Sequence, residues 1–140
     1  MIPIRRTKDD YSLRPGLQEK HSKTLEWLSA TMLWRNEFAF FQKAIENKSQ
    51  TITTIEDKKR LDHFQNLIFY YRNELITDLR SSLRNHENKL ARMLESENDW
   101  DEKYFEEHGL LMDKALGISN GVSGLRQDLI AWVGTGSTKK

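Results

Sequence analysis

The sequence predicts an all-α protein: an antiparallel bundle of three long amphipathic helices with coiled-coil-like packing. Three observations carry that expectation. From Leu17 to His108 the chain contains neither Gly nor Pro. Leu, Glu, Lys, Arg, Gln and Asn dominate and β-branched residues are sparse, which favours helix over strand. Three successive stretches also place apolar residues at steps of three and four, the spacing that gathers side chains on one helical face.

The first helix is expected over about 17–47. Pro15 and Gly16 punctuate the chain just before it. Its seam runs Leu17, His21, Thr24, Leu28, Thr31, Trp34, Phe38, Phe41, Ile45. The polar stretch NKSQTITT then loses helical phase. Thr54 with Asp57 three residues on resembles a capping pair, so the second helix should start there and reach about 96. Its seam reads Leu61, Phe64, Ile68, Tyr71, Leu75, Leu79, Leu83, His86, Leu90, Met93. At a rise of ~1.5 Å per residue this helix would span roughly 60 Å, long for a globular helix, which leaves room for a kink.

The second break is ESENDWDE. Asn98 or Asp99 can cap the next helix, with Glu102 three residues after Asp99. The alternating acids imitate a calcium loop, but Trp100 occupies the position where such a loop needs Gly for its sharp turn. An acidic helix–helix turn is the simpler reading. The third stretch contains Gly109, Gly117, Gly121 and Gly124. Each costs ~1 kcal/mol against Ala in a helix interior. Yet Trp100, Tyr104, His108, Leu111, Ala115, Ile118, Val122, Leu125, Leu129 and Trp132 keep one phase through all of them. One helix over about 99–133 is therefore predicted, its glycines letting a neighbouring backbone approach. The alternative splits it near 117–121 and makes four helices. All three seams repeat near 3.5 residues, which implies left-handed supercoiling. Residues 1–16 read as a flexible basic tail, 17–133 as one bundle domain, and 134–140 as a flexible end.

Composition narrows function. The net charge is +1, so no global field favours nucleic acid or anionic lipid. The chain has no cysteine, which excludes disulfides, thiolate metal sites and cysteine nucleophiles. No apolar run approaches the ~18 residues of a membrane span, and the N-terminus lacks an apolar signal region, so a cytoplasmic protein is expected. There is no phosphate-binding Gly loop and no serine in an elbow context, and no catalytic residue is assigned.

Three sets of residues stand out. Glu37 lies within the aromatic seam of the first helix, where an unpaired carboxylate is costly. Folding the chain at the first break puts Glu37, about ten residues before it, level with His63, about eight after the second helix begins. A buried pair of Glu37 with His63 is the expectation, Arg60 and Gln65 being near. The second set is His21, His86 and His108. The same arithmetic places His86 and His108 level, with His21 within one or two turns. Three imidazoles from three helices can hold a zinc or iron ion, with oxygen from Glu26, Glu87 or Glu107. The Glu-x-x-His pattern of bundle di-iron sites is missing, because the residues three before the histidines are Gln18, Arg60, Leu83 and Phe105. The third set is aromatic. Four Trp, six Phe and four Tyr are many rings for a thin bundle, so Trp27, Trp34, Phe41 and Trp132 are expected at an interface. The function these features favour is a non-catalytic module without cofactor that binds another helical protein or itself, as a dimer. The alternative is a divalent-metal-binding bundle using the seam histidines.

Overall fold

The computed structural model describes residues 15–98 and 101–138. Among them every regular element is helical, and three long helical runs pack against one another as an all-α bundle. Helix α1 spans Pro15–Ser49, opening on a proline, whose missing N–H is no loss in the first turn. Thr51 and Ser49 close it by donating their hydroxyls to the carbonyls of Lys48 and Glu46. The second run begins with α2, Ile55–Tyr70. Thr54 caps it by accepting the Asp57 N–H at 3.0 Å, as the sequence predicts. A single wide π turn, Tyr71–Leu75, joins α2 to α3, Ile76–Glu95. There the Ile76 N–H reaches back to the Tyr71 carbonyl and the Thr77 hydroxyl to that of Arg72 at 2.9 Å. This wide turn is the one departure from α geometry along the described residues of the second run.

Helix α3 ends in a Schellman closure. The Asn98 N–H donates to the Met93 carbonyl at 2.8 Å and the Glu97 N–H to that of Leu94 at 3.1 Å. Glu97 takes the left-handed conformation, φ 57°, that such closures usually give to glycine. The cap of the next helix differs from expectation. Asp101, not Asn98, accepts the N–H groups of Lys103 and Tyr104 at 3.0 and 3.3 Å. Asp99 and Trp100 lie outside the described residues.

Helix α4 runs unbroken over Glu102–Thr138, past the end at Val133 that the periodicity suggests. The four-helix alternative is thereby corrected. The glycine argument also narrows to one position. Of the α4 glycines up to Gly124, only Gly121 has a neighbour where a side chain would grow, and that neighbour is the Tyr71 hydroxyl rather than a backbone.

The chain divides into two compact units. Among the described residues unit 1 gathers 15–30, 79–98 and 101–115; unit 2 gathers 31–78 and 116–138. In unit 1, Leu17, Leu90, Met93, Leu94 and Tyr104 form a buried cluster with Phe105 against it. In unit 2, Phe38 meets Tyr71 edge-on at 5.8 Å and Phe64 tilts against Trp132 at 5.2 Å. Pairing Glu37 with Arg126 and Lys48 with Trp132 makes α1 and α4 parallel there, with α2 antiparallel to both. Each buried Leu, Ile or Phe contributes roughly 1.5–3 kcal/mol. No helix among the described residues is long and apolar enough to cross a membrane.

Candidate functional site

Among the described residues the buried polar side chains are Thr24, Thr31, His86 and His108. A threonine can satisfy itself on its own helix, as Thr24 does by donating to the Lys20 carbonyl at 2.9 Å. An imidazole cannot, so the two histidines define the first candidate site, within unit 1.

Helix α3 supplies His86 and, one turn on, Lys89. Helix α4 supplies Tyr104, Glu107 and His108, which spacings of three and four bring to one side. His86 is wholly buried, with Nδ1 2.7 Å from Glu107 Oε1 and Nε2 2.9 Å from His108 Nδ1. Lys89 Nζ donates to the second Glu107 oxygen at 2.8 Å. The Tyr104 ring stacks on His86 with centroids 4.2 Å apart and planes 3° from parallel.

Proton positions follow from the acceptors. Glu107 is held below the ordinary carboxylate range: its own desolvation pushes upward, but the bonds from Lys89 and His86 outweigh it. An ionised Glu107 accepts, so His86 carries its proton on Nδ1. His86 Nε2 is then an acceptor, and His108 Nδ1–H donates to it. The chain reads His108 to His86 to Glu107, with both imidazoles neutral. Burial lowers the affinity of His86 for a further proton, opposed in part by Glu107. Burial, helped by the nearby His86 and Lys20, lowers the His108 pKa to about 4.

This arrangement corrects the metal reading. Both His86 nitrogens and both Glu107 oxygens are engaged by protein partners. His21 turns to Glu87, forming an ion-pair contact through Nδ1. Burial raises the Glu87 pKa against the pull of His21. Among the described residues no group of three His, Asp or Glu side chains is placed to hold a metal ion.

The second candidate site lies in unit 2. Glu37 is the carboxylate inside the aromatic seam, and its partner is Arg126 of α4, not His63. The Arg126 fork donates Nε to Oε2 at 2.6 Å and Nη2 to Oε1 at 2.9 Å. This two-point bond raises the Arg126 pKa above its ordinary value. His63 is exposed, beside the Phe64 ring. The expected buried pair therefore does not form, because Phe38 packs at the level of Tyr71 and His63, beside Phe64 and near Trp132, stands about two turns away. The aromatic expectation also changes. Trp34, Phe41 and Trp132 are buried in the protein's own core and Trp27 is half-buried. The large apolar side chains that do face outward in unit 2 include Leu33, Phe40 and Ile130.

Sequence reasoning brought His86 and His108 to one level and named Glu107 as a source of oxygen. It missed Tyr104 as the stacking surface, although Tyr104 precedes His108 by one turn on the same seam. It missed Arg126 altogether: an arginine beside a seam leucine gives no signal of its partner. No protein family, curated protein or solved structure matches the chain.

Proposed function

We propose that the chain is a non-catalytic helical module that self-associates as a dimer through one face of unit 2. The observation that carries this is the ring of exposed apolar residues around the Glu37–Arg126 pair. Leu33 lies four residues before Glu37 and Phe40 three after it, while Ile130 lies four after Arg126, so each flanks the pair on its own helix. They are 63%, 67% and 56% exposed. Within the pair the Arg126 side chain is 32% and the Glu37 side chain 26% open to solvent. Apolar and aromatic groups around a fixed arginine make up the composition of an interface centre. A second copy is the occupant because a two-fold interface sets such a patch against itself, and a net charge of +1 puts little repulsion between copies. The lack of cysteine fits a reducing compartment, and we place the module in the cytoplasm.

Light scattering coupled to size exclusion, over a concentration series at pH 7.5, tests this. The native chain is expected to pass from monomer to dimer. Phe40→Glu should weaken dimerisation by roughly tenfold or more with helicity unchanged, whereas Phe69→Glu, an exposed ring on α2, should not. A native chain that stays monomeric to millimolar concentration overturns the reading.

A further inference from the structure

We propose that unit 1 is an acid-labile element: proton uptake by the buried His86–His108 pair releases the packing of α3 against α4, while unit 2 stays folded. This stands apart from the self-association reading and uses none of its residues.

The geometry leaves no comfortable place for an added proton. Placed on His86 Nε2, it removes the only acceptor of His108 Nδ1–H and sets two N–H groups face to face at 2.9 Å. The clash is relieved if His108 moves its own proton to Nε2, but the charge then sits in the wholly buried His86 ring, where burial outweighs the pull of Glu107. Placed on His108 Nε2, it preserves that bond but puts a charge in a buried ring stacked within 5.0 Å of its neighbour. The facing groups do not help. On α1, Lys20 lies toward His108, its ammonium 5.2 Å from the Phe105 ring centroid. On α3, Lys89 faces Glu107. On α4, Glu107 is the one anion in contact and is already shared between His86 and Lys89. The His21–Glu87 pair joins α1 to α3 in the same unit, and Lys23 with Glu26 forms an exposed pair on α1.

The signs can be followed group by group. Both buried imidazoles bind protons less readily folded than unfolded, His108 doing so only near pH 4 against an ordinary 6.5. Their stabilisation is complete above pH 6.5 and drains away as pH falls toward 4. Glu107, held low, adds a loss at the acid end of that window. Glu87, held high, opposes the trend, because its folded form welcomes a proton that the unfolded chain would release. Two histidines against one carboxylate leave a net loss. Among the described residues, unit 2 has no histidine, carboxylate or amine in its buried side chains.

Amide hydrogen exchange read by mass spectrometry from pH 7.5 to 4, corrected for intrinsic rate, tests this on the full chain. Protection in 15–30, 79–95 and 102–115 is expected to fall between pH 6.5 and 4, by up to tenfold per pH unit for each histidine. Protection in 31–49, 55–78 and 116–134 should hold. Replacing the pair with His86→Phe and His108→Phe should flatten the acid dependence. Because that double variant can fail to fold, imidazole nitrogen NMR of the native chain gives an independent readout: His108 should stay neutral until about pH 4. A His86 or His108 ring that titrates near 6.5 with the fold intact, or both units losing protection together, overturns the proposal.

Discussion

Unit 1 and unit 2 are cut from the same three helical runs, yet they fill equivalent seam positions with different chemistry. Unit 2 closes on rings and aliphatic side chains, with Phe38, Phe64 and Trp132 inside and its ion pair at the rim. Unit 1 gives two seam positions to imidazoles and satisfies them with each other, a stacked tyrosine and one glutamate. Hydrophobic burial of this kind responds weakly to pH, whereas a neutral imidazole held away from water is stable only while it stays neutral. One amphipathic pattern thus specifies a fold twice and makes only one half conditional on the medium.

The contrast can be broken most forcefully at Trp132. Trp132→Ala should cost about 3–5 kcal/mol in urea unfolding, because it empties the contact with Phe64. That cost should be equal at pH 7.5 and 5.5. A difference of more than about 1 kcal/mol between the two would mean that unit 2 is also proton-linked.

A smaller effect sharpens the packing side. Gly121→Ala should destabilise by about 1–3 kcal/mol, since the new methyl group meets the Tyr71 hydroxyl. Adding Tyr71→Phe should recover part of the loss. The same substitution at Gly117 or Gly124, where nothing lies nearby, should stabilise by up to about 1 kcal/mol. Equal effects at all three positions would remove the special role given to Gly121.

The smallest effect belongs to the turn below unit 1's histidines. Glu97→Gly should raise the thermal midpoint slightly, by up to about 1 kcal/mol of stability, because glycine takes φ 57° without strain. A lowered midpoint would show that the Glu97 side chain contributes more than its backbone costs.

Periodicity was sufficient for the helices, because a seam that persists through Gly109, Gly117, Gly121 and Gly124 reports burial more strongly than glycine reports a break. It was also sufficient for the meeting of His86 and His108, since helical rise fixes height whatever the partner. It failed for Glu37. The height itself was wrong: Phe38 meets Tyr71, while Phe64 beside His63 meets Trp132 near Lys48. His63 thus lies about two turns from Glu37, and Arg126 went unread. It failed for the Trp/Phe face because a count of rings says nothing of how many a three-helix interior can absorb. The phase of the second run held a clue that went unread. Tyr71, Leu75, Leu79 and Leu83 advance by four, four and four. A 3.5-residue seam does not advance that fast. The core takes Ile76, fully buried, in place of the expected Leu75, which is only half-buried.

That slip has a consequence for the reading frame of the helix. The wide turn at Tyr71–Leu75 holds one residue more than an α turn would, and the apolar positions before and after it are spaced to suit. Tightening it to an α turn with every residue kept would rotate Leu79, Leu83 and His86 by about 100° off their line, whereas deleting a single residue there would give an unblemished α-helix with that line preserved. A related chain one residue shorter at this point would therefore keep the imidazole pair on a plain α-helix, while a chain of the same length keeps it only by keeping the wide turn.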